Sequence, residues 1–288
     1  MTVPVTYMSG AGNIFTVISD LFGKIKRESL SGLAVELCSA KKLSSMDTDG
    51  LLLIGGWGKD YDFSLEFFNP DGSGGMLCGN GARCGVKYTY LKGFIRKESN
   101  IHFKFANTIF RAEIVDENIK LELPPPKRLV REIKLQSSGR KIQGSYLDVG
   151  TVHLVLDFAD LTTDTGFDSF ELKEFAQALR YHEIFAPVGV NVNIYNVIDE
   201  TTLRLRTYEK GVEAETGACG TGAISTAIAA YYKKQIKLPV TIIPTSRMPL
   251  VVDSRFDAEC RIDSVFLTGG AEVLTEEDID IPTSYYNE

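Results

Sequence analysis

The pattern Cys-Gly-X-Gly-Ala occurs twice in this 288-residue chain, from Cys78 to Ala82 and from Cys219 to Ala223. The first copy lies in the segment 76–93 and the second in 217–234, and each opens a helix-compatible stretch. The two cysteines are close to half the chain length apart, and a run of three prolines, Pro124 to Pro126, lies between them and reads as a linker. Such a repeat predicts two similar halves, each with one such helix. The second helix carries Ala223, Ile224, Ala227, Ile228, Ala229 and Ala230. It is apolar nearly all round, so it is expected to be buried inside its half rather than to lie on a surface.

The rest of the chain is strand-like. Apolar and polar residues alternate in short runs, predicting half-buried strands at 3–8, 14–19, 51–54, 63–68, 101–105, 108–114 and 119–123. Beyond the prolines, strands are expected at 144–158, 190–197, 202–208, 240–243, 250–252 and 258–262. Two surface helices are predicted, over 31–41 and 169–181. The expected fold is a strand-rich shell around a central helix, made twice.

A helix N-terminus carries unpaired N–H groups and partial positive charge. Glycines let a ligand approach that backbone closely, which suits a carboxylate or phosphate. The same field favours thiolate over thiol, so a cysteine there can act as a base at neutral pH. Two such cysteines facing one carbon suit a proton abstraction from one face and a proton return to the other, with inversion between. The helix N–H groups would hold the α-carboxylate and stabilise the developing charge. A phosphate nest is disfavoured, because no Gly-Lys-Ser/Thr follows and Asn80 and Thr221 are poor substitutes for a lysine.

Composition narrows the alternatives. Five cysteines (Cys38, Cys78, Cys84, Cys219 and Cys260) are an odd number in a long chain and argue against a secreted disulfide scaffold. No Cys-x-x-Cys pair occurs and there are three histidines, which argues against a structural zinc site. A net charge of −7 gives no support for nucleic-acid or anionic-membrane partners. No apolar run approaches the roughly 18 residues that span a bilayer. The first residues lack a charged segment followed by an apolar one, so no signal peptide is expected and the cytoplasm is the expected compartment. Cys38 and Cys260, and with less force Cys84, read as small packing residues.

The motifs resemble those of the diaminopimelate epimerase family along the whole chain. Cys78-Gly-Asn-Gly-Ala-Arg-Cys84 is similar to the family's first active-site motif and Ala218-Cys-Gly-Thr-Gly-Ala223 to its second. Gly10-Ala-Gly-Asn-Ile-Phe15, Phe68-Asn-Pro-Asp-Gly-Ser73, Asn191-Val-Asn193, Arg206-Thr-Tyr-Glu-Lys-Gly211 and Glu215-Thr216 fall in the expected order. The resemblance implies an α+β fold of two pseudo-symmetric domains, each a strand-rich β-sheet or barrel wrapped around a central helix. The halves would be 1–124, carrying Cys78 and completed by 271–288, and 125–270, carrying Cys219. It implies interconversion of LL- and meso-diaminopimelate in lysine and peptidoglycan synthesis, with no cofactor and no metal, and it is compatible with a homodimer. By position, Cys78 and Cys219 are the acid/base pair. His153 would tune Cys78, and Glu209 would tune Cys219. Gly79, Asn80, Gly220 and Thr221 would hold the reacting carboxylate, and Asn13, Asn69, Asn191, Glu209 and Lys210 would line the rest of the substrate site.

The chain departs from the family pattern at several places. Ile14 replaces an Asp, Thr151-Val152 an Asn-Pro or Ser-Pro, Lys210 an Arg, and Gly217 a larger residue. A lysine keeps the charge of an arginine but loses its bidentate fork. Two rival readings follow: a sister amino-acid racemase or epimerase on the same fold, and a non-enzymatic protein that uses Cys78 and Cys219 as a thiol switch. A fold relative of the phenazine-isomerase kind is disfavoured by the presence of both cysteines.

Overall fold

The computed structural model describes residues 1–75, 78–137, 139–161 and 163–287; Met76 and Leu77, at the head of the first repeat, lie outside the described residues. The chain divides into two compact units, Met1–Glu122 with Thr268–Glu288, and Leu123–Leu267.

The first unit begins with β1 (Thr2–Gly10), β2 (Asn13–Asp20), α1 (Leu30–Leu37), β3 (Gly50–Gly55), β4 (Phe63–Phe68), α2 (Gly79–Leu91), β5 (Ile101–Phe105), β6 (Thr108–Val115) and β7 (Asn118–Leu123). β1 and β2 form an antiparallel hairpin. The chain crosses over through α1 so that β3 runs parallel to β2. β4 returns antiparallel to β3, and α2 carries the chain to β5, parallel to β4. β5, β6 and β7 then form an antiparallel meander.

The second unit contains β8 (Arg128–Ser137), β9 (Arg140–Asp148), β10 (Val152–Asp157), α3 (Leu172–Arg180), β11 (Asn191–Asp199), β12 (Thr202–Glu209), β13 (Ala214–Thr216), α4 (Gly220–Tyr232), β14 (Val240–Ile243), β15 (Leu250–Phe256) and β16 (Ile262–Gly269). The connectivity is the same. β9 and β10 are an antiparallel pair, α3 crosses to a parallel β11, β12 returns antiparallel, and α4 crosses to a parallel β14 followed by antiparallel β15. The short β13 adds to β12 ahead of α4. Each unit also has an extra strand beside its first. In the second unit β8 pairs with β9, and in the first β17 (Glu272–Asp280) returns to pair with β1. Both units are α+β and share one strand–helix order, as the repeated motif predicts.

The central helices differ in how they are buried. α4 is rich in alanine, a strong helix former, and Gly222 to Ala230 are all buried. α2 is poorer in helix formers and carries three glycines, Gly79, Gly81 and Gly85. A Cβ at Gly81 would meet Leu52 Cδ2 at 3.0 Å, and one at Gly85 would meet Leu65 Cδ1 at 3.2 Å. Close approach to β3 and β4 is what these positions supply, and burial overrides their weak propensity. The outer helices cover the opposite sheet faces. Leu30, Leu33 and Leu37 of α1 join Val5, Ile18, Leu51 and Leu53, while Leu172, Ala176 and Leu179 of α3 join Leu154, Leu156, Val192 and Ile194. With both faces covered, β3 is a continuous apolar run rather than an alternating one. Among the described residues no helix is long and apolar enough to cross a membrane.

Several expectations are corrected. The strand expected over 144–158 is two strands, broken by a turn at 149–151. There Gly150 has φ +101° and its N–H donates to Asp148 Oδ1 at 2.9 Å. The strand expected over 258–262 is a turn as far as Arg261, and β16 starts only at Ile262. The Asp257 carboxylate accepts the N–H groups of Glu259 at 3.0 Å and Arg261 at 2.8 Å, and Cys260 is left-handed. That is Asx-type chemistry, which competes with a ladder. The outer helices are shorter than expected: α1 ends at Leu37 and α3 begins at Leu172.

Candidate active site

Each unit places a cysteine at the same structural position. Cys78 is the N-cap of α2, with φ −88° and ψ 116°, and Cys219 is the N-cap of α4, with φ −114° and ψ 111°. Both caps have extended backbone, and the first helical turn that follows each has N–H groups with no intrahelical acceptor. Gly79 and Asn80 open α2, and Gly220 and Thr221 open α4.

In the first unit a polar chain runs from the β1–β2 turn into the helix. Asn13 donates to Asp49 Oδ2 at 3.3 Å and accepts from Asn80 Nδ2 at 2.8 Å; Asn80 Oδ1 in turn accepts from Arg83 at 2.8 Å. Arg83 is wholly buried, and its other donors reach the carbonyls of Gly79 and Gly270, each at 3.3 Å. Among the described residues no carboxylate pairs with it. Burial pulls its pKa down, and the neighbouring Cys84 and Cys78 oppose that, since a thiolate beside a guanidinium stabilises it. Gly10 of β1 makes room for this helix start: a Cβ there would lie 2.6 Å from the Asn80 carbonyl oxygen. Asn69 stands apart in a tight turn, where its amide donates to Ser73 Oγ at 2.8 Å.

In the second unit the cap sulfur belongs to a hydrogen-bonded chain. The Cys219 sulfur accepts from the Gly222 N–H at 3.4 Å and lies 3.5 Å from Thr221 Oγ1. Thr221 Oγ1 accepts from Thr151 Oγ1 at 3.1 Å, and Thr151 Oγ1 lies 2.8 Å from His153 Nε2. His153 Nδ1 lies 3.0 Å from Asn193 Nδ2, whose amide also donates to the Leu154 carbonyl at 3.1 Å. Thr207 closes the set by donating to Asn193 Oδ1 at 3.0 Å. His153 and Asn193 are fully buried. Burial depresses the His153 pKa to about 3, and the Lys210 ammonium adds to that. Gly222 must be glycine, because a Cβ would meet Asn193 Oδ1 at 2.6 Å.

Two strands set this geometry. Asn191 and Asn193 are two apart on β11 and so face the same way, toward parallel β10, where His153 is in register with Asn191. Asn191 spends its side chain on backbone, donating to the Val152 carbonyl at 3.0 Å and accepting from the Lys210 N–H at 2.8 Å. Glu209, at the end of β12, accepts from the Thr216 hydroxyl on β13. Arg206 clamps the approach to Cys219 with a bidentate pair to Glu215 at 2.9 and 2.7 Å and with bonds to the Phe167 and Phe170 carbonyls.

The structure therefore ties Asn13 to Asn80 in one unit, and His153 to Thr221 and Cys219 in the other, while Asn69 sits in its own turn. Sequence reasoning passed over Arg83, Thr151, Asn193 and Thr207 as site residues. Arg83 stands inside the first motif and Asn193 two residues from Asn191, so period and position could have found both.

Comparison with known proteins identifies the family and the fold. The sequence profile described as Diaminopimelate epimerase matches residues 5–128 and 145–247. A diaminopimelate epimerase from Aquifex aeolicus is 34% identical over 279 residues, covering 93% of this chain and 95% of that protein. Another from Archaeoglobus fulgidus is 29% identical over 283 residues, covering 94% of each. Among solved structures, a probable proline racemase from Agrobacterium radiobacter superposes with a TM-score of 0.69 at 14% identity, covering 98% of this chain and 94% of that one. A phenazine biosynthesis protein of the PhzF family from Enterococcus faecalis gives 0.67 at 16% identity, covering 98% and 100%. At such identities the solved structures show the shared fold, and the profile and the curated relatives show more: the chain belongs to the diaminopimelate epimerase family and is an isomerase, an amino-acid epimerase.

Proposed function

We propose that the chain interconverts LL- and meso-diaminopimelate by a two-base mechanism at the α-carbon. The observation that carries this reading is the equivalence of the two caps: one cysteine opens each central helix, within the motifs of the family. One thiolate takes the α-proton, the C–H electron pair passes into the carbanion conjugated with the α-carboxylate, and the other thiol delivers its proton to the opposite face. Thiol and thiolate have then exchanged roles. Gly79, Asn80, Gly220 and Thr221 open helices whose first-turn N–H groups suit a carboxylate, and they would hold it as charge develops. Glu209 is assigned to tuning Cys219, and His153, which the family motif would assign to Cys78, is bonded through Thr151 and Thr221 to the cap of Cys219.

Glu209 and Lys210 would recognise the distal ammonium and carboxylate of the substrate, with Asn13, Asn69 and Asn191 shaping the pocket. A polar site of this kind rejects analogues that leave its groups unpaired, often by ~10⁴-fold. The test is kcat/KM for LL-diaminopimelate, lysine, ornithine, glutamate and histidine, with α-deuterium uptake from deuterated water followed by NMR. Diaminopimelate should be preferred by orders of magnitude. One observation favours a sister epimerase instead: Asn191 and Asn69 already use their amides within the protein. Preference for a single-headed amino acid would select that reading, and absence of any α-exchange would overturn both.

A further inference from the structure

The chain from His153 to Cys219 has a fixed hydrogen-bond direction. Asn193 Nδ2 donates to the Leu154 carbonyl, which can only accept, so the amide orientation is settled. Its second N–H then points at His153 Nδ1, 3.0 Å away, and Nδ1 must be the acceptor. The ring proton therefore sits on Nε2, which donates to Thr151 Oγ1. A hydroxyl that accepts there sends its own proton onward, and Thr151 donates to Thr221 Oγ1. Thr221 has the same choice, and among the described residues its other side-chain neighbour at hydrogen-bond distance is the Cys219 sulfur. The Gly222 N–H points at that sulfur too.

We infer that Thr151 and His153 are positioning residues for Cys219, acting through the Thr221 hydroxyl so that the sulfur receives two hydrogen bonds and is held in favour of its thiolate. The inference rests on the proposed function for its catalytic meaning, and it concerns a position, Thr151, at which this chain departs from the family motif. The imidazole is suited to a fixed donor because it does not charge in the working range: burial holds it neutral. Lys210 acts on His153, and Glu209 is held by Thr216 on the strand leading into Cys219. No group in the relay has to ionise for the direction to persist.

The test reads the thiols directly. Alkylation of the intact protein by iodoacetamide is followed across pH, with each cysteine resolved by peptide mass spectrometry. Thr151→Val keeps the shape of the side chain and removes the hydroxyl at a half-buried turn position. The Cys219 profile should move up by about one pH unit, making its alkylation about tenfold slower near pH 7. The Cys78 profile should stay in place. Thr151→Ser restores the hydroxyl and should restore the Cys219 profile. A folded Thr151→Val protein whose Cys219 profile superimposes on the parent overturns the inference, as does a Thr151→Ser protein that behaves like the valine variant. No substrate enters this measurement, so it can succeed while the amino-acid panel fails, and the reverse.

Discussion

Cys84 and Cys219 are both buried, yet their surroundings direct them differently. Cys84 lies inside α2 with no exposure, and burial pushes its thiol up to about 12 despite the adjacent Arg83. It should resist alkylation at about pH 8 in the native protein, while exposed Cys260 reacts. Cys84→Ala should cost about 1–2 kcal/mol of stability, measured by urea unfolding, with a smaller effect on turnover than loss of either cap cysteine. Cys78→Ala or Cys219→Ala should lower kcat by about 10²-fold or more with the melting temperature nearly unchanged. His153 gives a separate signature. Its folded pKa of about 3 lies below the ordinary value of 6.5, so between those values the unfolded chain binds the extra proton. Its contribution is complete above pH 6.5 and is lost as pH falls toward 3, by up to about 1.4 kcal/mol per unit. Unfolding free energies at stepped pH should show this slope in the parent and a shallower one in His153→Asn. The cysteines could be read from sequence because a short motif carries them. The Thr151 link could not, because it joins residues far apart in sequence that meet only when β10 packs beside the start of α4.

The two central helices are the same element solved twice. Both end in a Schellman arrangement: Gly93 donates to Tyr90 and Phe94 to Thr89, while Lys234 donates to Tyr231 and Gln235 to Ala230. Both C′ residues are left-handed, Gly93 at φ +71° and Lys234 at φ +61°. Only Gly adopts that conformation without cost, so Lys234→Gly should stabilise the protein by about 0.5–1 kcal/mol, and Gly93→Ala should destabilise it by a similar amount. Gly222→Ala belongs to another class. Its Cβ would press on Asn193 and should cost about 1–3 kcal/mol and displace the Cys219 cap, which thermal melts and Cys219 alkylation would report together. Most strands were legible, since alternation survives wherever one face is buried. β17 was not: its sequence, EVLTEEDID, is exposed along nearly its whole length, so no apolar period marks it and backbone pairing to β1 holds it. β8, also largely exposed, was missed for the same reason.

At the scale of the molecule, the first unit is discontinuous and the second is one uninterrupted stretch. Ile279 and Ile281 belong to the same core cluster as Val5, Tyr7 and Leu33. Burial of two isoleucines is worth about 3–6 kcal/mol, comparable with the whole stability of an ordinary domain. Deleting residues 268–288 should therefore unfold the first unit and spare the second. Hydrogen exchange should show lost protection over 1–122 and retained protection over 123–267. The same arrangement sets an order of events during synthesis. A nascent chain ordinarily matures from its N-terminus, domain by domain. Here the N-terminal half emerges from the ribosome first but must wait with the edge of β1 open until residues 272–280 follow it out. The half that carries Cys219 is thus complete before the half that carries Cys78, and the unpaired β1 edge is the part of the nascent chain most in need of a chaperone.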